Sequence, residues 1–157
     1  MVAPLEPVLV VERVFDAPRA LVWHVWTDPD QAVKWMGPPT CPAKKIEGDF
    51  RPGGKWRTIM DGTQQRQDLC HGGEYREIVE PERIVYTFAW ENHPTMPRNE
   101  MLIELTFEEV GPKKTKLTLR QTRFVSVEQR DGHNVGWSGT FDRLEEYLAK
   151  QNQKSPL

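Results

Sequence analysis

In the segment GWSGTFDRLEEYL (residues 136–148), Trp137, Phe141, Leu144 and Leu148 are spaced four, three and four residues apart. That spacing puts four large apolar side chains on one side of an α-helix. The pattern predicts a helix that begins between Val127 and Asn134 and ends near Lys150, followed by a short polar tail over 151–157. Gly132, Gly136 and Gly139 stand inside the predicted helix and together cost it about 2–3 kcal/mol of helix propensity. Their presence implies either close approach of another backbone or open room beside the stripe. The alternative is a helix that starts only after Gly139. In either case one apolar stripe needs a partner surface, and the rest of the chain supplies a sheet.

Val8 to Phe15 is an apolar, β-branched run that reads as a strand, stopped by Asp16-Ala17-Pro18. Asp16 is positioned to cap a helix from Arg19 to Thr27, with Leu21, Val22, Val25 and Trp26 on its apolar side and Trp23 at the border. Asp28-Pro29 opens a second short helix, through Gln31 to Met36, closed by Gly37-Pro38-Pro39. Alternating segments follow: 43–50, 55–60, 68–79, 83–90, 101–109 and 115–122, separated by turn signals and by a longer polar loop over 91–100. They read as successive antiparallel neighbours. A period of two puts Met101, Ile103, Leu105 and Phe107, with Leu117, Leu119 and Gln121, on a dry face. The rows Ile84, Tyr86, Phe88, Trp90 and Trp56, Thr58, Met60 join them. The class is α+β.

The 157 residues fit one domain, read as 1–150. A formal net charge of −2 removes the basic footprint of a nucleic-acid binder and gives no polybasic membrane signal. No run approaches the roughly 18 apolar residues of a membrane span, and the N-terminus lacks the basic and apolar regions of a leader. Cys41 and Cys70 have no metal-ligand or disulfide-framework spacing and fit a reducing cytoplasm as ordinary thiols. His24, His71, His93 and His133 have no metal spacing either, so neither a metal nor another cofactor is expected. Six tryptophans among only 38% hydrophobic residues is the compositional oddity, because indoles suit cores, interfaces and ligand cavities alike.

Four strings, in this order and spacing, carry a family resemblance: FDAPRALVWHVWTDPDQAVKWMGP (15–38), DFRPGGKW (49–56), GGEYREIVEPERIVYTFAW (72–90) and the segment 136–148 quoted above. Over residues about 9 to 150 the chain resembles the Activator of Hsp90 ATPase homologue C-terminal-domain family of the SRPBCC, or START-like, superfamily. The resemblance implies a helix-grip fold: a curved antiparallel sheet wrapped around a long C-terminal helix, with two short helices after the first strand. It also implies a cavity between sheet and helix that takes hydrophobic ligands, lipids, polyketide intermediates or ring substrates in superfamily members.

On that frame Trp23 and Trp26 anchor the first helix, and Trp35 closes one end of the cavity. Trp56, Tyr86, Phe88, Trp90, Met101, Ile103, Trp137 and Phe141 are the candidate walls. Glu77, Glu104 and Gln121 are the polar groups nearest the dry rows, and Gln121 is the best placed to be buried and to orient a ligand carbonyl or hydroxyl. Asp49 and Arg51 flank a glycine turn read as structural. Cys70 and His71, adjacent on a strand, face opposite ways and are read as ordinary strand residues. No nucleophile motif or acid/base pair is evident, so the reading is non-catalytic binding of a small hydrophobic or aromatic molecule. The alternatives are an Hsp90-type chaperone partner, which the short segment before the first strand disfavours, and a cyclase- or dehydratase-like enzyme. A monomer or a homodimer through an exposed edge strand is expected.

Overall fold

The computed structural model describes the backbone of residues 6–63 and 67–154 and the side chains up to Gln151. The first five residues of the segment read for a leader, and the last three of the expected tail, lie outside the described residues. The elements are β1 (Leu9–Phe15), α1 (Arg19–Thr27), α2 (Pro29–Ala32), β2 (Ala43–Gly48), β3 (Lys55–Met60), β4 (Leu69–Val79), β5 (Arg83–Trp90), β6 (Met101–Gly111), β7 (Lys114–Thr122) and α3 (Val127–Lys154). The strands form one antiparallel sheet in the order β1-β7-β6-β5-β4-β3-β2. Strands β2 to β7 are a meander, and β1 adds antiparallel to β7, with Leu9 opposite Gln121 and Phe15 opposite Thr115. The sheet curves around α3, giving the α+β helix-grip arrangement. Among the described residues no helix is long and apolar enough to cross a membrane.

Helix α3 starts at the early limit of the expected range and passes through all three glycines, so the shorter helix beginning after Gly139 does not form. Ser126 holds its first turn, accepting from the Gln129 N–H at 3.1 Å, while the Gln129 side chain accepts from the Val125 N–H at 2.9 Å. At Gly139 a Cβ would lie 3.3 Å from both Pro38 and Pro39, whereas at Gly136 it would meet nothing within 4 Å. The two explanations for the glycines therefore hold at different positions of one helix. The stripe itself is deeply buried: Phe141 and Leu144 are fully covered, and the Phe141 ring meets Phe15 edge-on at 6.0 Å.

Three local expectations are corrected. The N-cap residue of α1 is Pro18, not Asp16, and it has no side-chain cap; Asp16 accepts from Lys114 Nζ at 2.7 Å. Helix α2 ends at Ala32, and the chain continues through hydrogen-bonded turns to Met36. Glu77 is not near the dry rows, because a bulge between Tyr75 and Glu77 shifts the register. The shift turns Ile78 inward against the core and leaves Glu77 outside, 3.4 Å from Arg83. The other acid, Glu104, likewise lies on the wet face, accepting from Arg83 and Arg120 at 3.0 Å each.

The turn at 49–54 is built as a structural device. Gly53, at φ +84°, donates to the Tyr75 carbonyl at 2.8 Å, and Arg51 Nε donates to Asp49 at 2.5 Å. A second device ties the α2 segment to α3. The Arg143 guanidinium donates to the carbonyls of Met36 and Gly37, each at 2.9 Å, and of Lys34 at 3.1 Å. A planar fork of donors suits three converging carbonyls, and an ammonium does not. Arg143→Met is expected to cost about 2–3 kcal/mol, with Arg143→Lys recovering little of it. The urea midpoint checks this, and a loss below about 0.5 kcal/mol would show that the segment holds without the guanidinium.

Candidate functional site

The inward rows of β3, β4 and β5 bring Trp56, His71, Tyr86 and Phe88 together beneath Trp137 of α3 and Trp26 of α1. Between them lies an inner lobe of about 60 Å³. An outer cleft of about 250 Å³ adjoins it and shares Met36, His71, Phe88 and Trp137 with the inner lobe. Its remaining walls include Trp90, His93, Met96, His133 and the bare backbone of Gly136. Among the described residues no Asp, Glu, Lys or Arg lines either space. Gly136 places no side chain in this space, and a Cβ there would meet nothing within 4 Å.

His71 is the hub of the aromatic wall. Its ring stacks on Phe88 at 4.3 Å and meets Trp90 and Trp56 edge-on at 5.0 and 5.5 Å. Burial, helped by the neighbouring His133, holds its imidazole down at about 3. Its Nδ1 is buried without a hydrogen-bond partner among the described groups. His133, on α3, is held at about 4 by burial and by His93. Both rings are therefore neutral at neutral pH. Trp90 Nε1 donates to His133 Nε2 at 3.1 Å, and His133 Nδ1 lies 3.3 Å from Gln121 Nε2. The Gln121 carbonyl oxygen accepts from Trp137 Nε1 at 2.9 Å, and its amide nitrogen reaches Met101 Sδ at 3.3 Å. Burial also raises the Tyr86 phenol far above its ordinary value and pushes Tyr75 up to about 12.

Of the residues named from sequence, Trp56, Tyr86, Phe88 and Trp137 line the inner lobe, and Phe88, Trp90 and Trp137 line the outer cleft. Trp35 lines neither. It is fully buried, its Nε1 donates to the Val25 carbonyl at 3.1 Å, and its ring packs on Trp26 at 4.9 Å. Met101, Ile103 and Phe141 are fully covered core residues behind the walls. Gln121 is fully buried and engaged with protein groups rather than turned into the cleft. Trp23 packs on Phe107 and Phe50 at 5.1 and 6.1 Å, as an anchor of α1 should, but Trp26 belongs to the inner lobe. His71 and His133 were missed as site residues. For His71 the signal was present, since alternation places it opposite Trp90 on the dry face. Among the described residues no cluster of His, Cys, Asp or Glu is arranged to hold a metal ion, and both cysteines are free.

A curved antiparallel sheet closed over one long helix, with an uncharged aromatic cleft between them, defines a helix-grip domain of the SRPBCC type. Within that class the chain belongs to the Activator of Hsp90 ATPase homolog 1-like protein family, whose family model matches residues 16–149. Solved structures of the same fold include a protein of Chromobacterium violaceum, 25% identical with a TM-score of 0.80, covering 90% of this chain and 96% of that one. A Nitrosomonas europaea protein is 27% identical, with a TM-score of 0.72 and coverage of 93% and 96%. A Rhizobium leguminosarum protein is 26% identical, with a TM-score of 0.75 and the same coverage. A comparison with curated proteins finds no match.

Proposed function

We propose that the chain binds a small hydrophobic or aromatic molecule, without catalysis, in the cleft between β3–β5 and α3. The observation that carries this reading is the outer cleft itself: about 250 Å³, walled by aromatic and apolar side chains, with no charged group among the described residues lining it. A cytoplasmic role fits the two free thiols. Burying roughly 300 Å² of ligand at about 25 cal/mol per Å² contributes about 7 kcal/mol, from which association subtracts several. Shape alone therefore supports dissociation constants of about millimolar or weaker.

Naphthalene, titrated against the intrinsic fluorescence of the full chain, tests the reading, because Trp90 and Trp137 line the cleft. Gly136→Leu is the matched control. A Cβ at this position meets no atom within 4 Å and Gly136 lines the cleft, so the added side chain starts into open space. The variant is expected to be as stable as the parent or up to about 1 kcal/mol more so, because glycine is a poor helix former. It should bind naphthalene at least about tenfold more weakly. A variant that folds and binds as well as the parent would place the ligand elsewhere.

A further inference from the structure

The polar string behind the cleft contains one hydrogen too many. It runs Trp90, His133, Gln121, Trp137, and both ends are indole nitrogens, which can only donate. Trp90 donates into His133 Nε2, so the proton of the neutral ring sits on Nδ1, facing the amide of Gln121 at 3.3 Å. That amide has one oxygen to offer two N–H groups. Turned toward Trp137, as found, it presents its own N–H to the imidazole N–H; turned over, it presents N–H to Trp137. Moving the ring proton to Nε2 only transfers the conflict to Trp90. In every arrangement one N–H lacks an acceptor, and the arrangement that satisfies Gln121 and Trp137 leaves it on the cleft wall, at Trp90 Nε1 or His133 Nε2.

Trp90 also meets His71 at 5.0 Å between ring centroids, and His71, 6% exposed and lining both lobes, has its Nδ1 unpartnered among the described groups. A surplus donor and an orphaned ring nitrogen thus lie beside one indole, and leaving either unpaired in a low-dielectric wall is costly. A hydroxyl meets both, because it accepts with its oxygen and either donates to or accepts from the second ring according to tautomer. An ether or carbonyl oxygen, which cannot donate, meets both only in the tautomer with the proton on His71 Nδ1, whereas a hydroxyl meets both in either tautomer. An anion would enter beside two imidazoles that burial keeps neutral, with no Lys or Arg lining either space among the described residues.

We infer that the cleft selects an uncharged ring compound bearing a hydroxyl group, of the phenol or naphthol class, with the hydroxyl seated against Trp90 between His71 and His133. This rests on the proposed cleft binding and narrows it. The test is calorimetric titration of the full chain at neutral pH with naphthalene, 2-methoxynaphthalene, 2-naphthol and 2-naphthoate. Naphthalene has a larger hydrophobic drive than 2-naphthol or 2-naphthoate, so only polar contacts can put 2-naphthol ahead of it. The expected order is 2-naphthol tightest, at least about tenfold over naphthalene, with 2-methoxynaphthalene between and 2-naphthoate weakest. His71→Phe, which keeps a ring on Phe88, should lower 2-naphthol to the level that 2-methoxynaphthalene shows in the same variant. Naphthalene binding as well as 2-naphthol, 2-methoxynaphthalene matching it, or 2-naphthoate binding tightest would overturn the inference while the cleft reading stands. Failure of both naphthalene and 2-naphthol would overturn the cleft reading and the inference together.

Discussion

Lowering the pH from 6.5 to 5 is expected to remove about 3 kcal/mol of stability through two histidines alone, the slope for each ring rising from half of about 1.4 kcal/mol per pH unit to nearly all of it as the unfolded ring protonates. His71 and His133 take up protons near 6.5 when unfolded, but in the folded chain burial holds them neutral down to about 3 and about 4. Between those limits the unfolded state binds more protons than the folded one, so stability falls as pH falls. A loss of this size is a large part of the roughly 5–15 kcal/mol that a domain has. Asp61 and Asp68, held low by hydrogen bonds from Thr63 and Lys44, act in the same direction only near the carboxylate range. Urea denaturation at pH 7 and pH 5 gives the slope. In His71→Phe the slope should fall by about half, since one of the two rings no longer titrates. Equal midpoints at the two pH values would mean that the rings protonate without opening the wall.

Trp26→Ala is expected to cost about 3–5 kcal/mol, because the indole leaves a void that its neighbours cannot close. Its ring is 8% exposed, lies 4.9 Å from Trp35, stacks on Trp137 at 6.3 Å with 19° between planes, and meets Phe107 and Phe141 edge-on at 6.3 Å. Two of these partners are fully buried large side chains from other elements, so collapse into the space would require β6 or α3 to shift. The same deletion enlarges the inner lobe. The variant should therefore accept anthracene, a three-ring compound, better than the parent does while unfolding at lower urea. A loss below about 1 kcal/mol would show that the wall relaxes to fill the gap.

The stripe from Trp137 to Leu148 was enough to reveal α3, because four apolar residues at helical spacing have few other uses. The rows of β5 to β7 were legible for the same reason, through a period of two. What escaped depended on irregularity or on partners distant in the chain. The bulge beside Tyr75 falls where Arg76 and Glu77 stand together and interrupt the alternation of β4, and it reverses which of Glu77 and Ile78 points inward. Trp23 and Trp26 are neighbours on one short helix, and only the closure of α1 over the sheet sends one to Phe107 and the other to the inner lobe. His71 was readable by alternation, but its neutral, unpartnered state follows from burial among Trp56, Phe88 and Trp90, which no single strand displays. The start of α3 was written in the chain as Ser126 followed three residues later by Gln129, a capping signal weaker to the eye than the glycines behind it.

Helix α3 is where foldability and capacity pull against each other. One glycine lets two prolines rest on the helix, and another, one turn earlier, is faced by nothing. A sequence selected for stability alone would place alanine or leucine at that open position and gain from every step of the exchange. The vacant position thus marks intrinsic helix stability surrendered for interior volume, and it identifies the cheapest route by which a relative of this chain would lose its cleft: a single larger residue on an otherwise undisturbed helix.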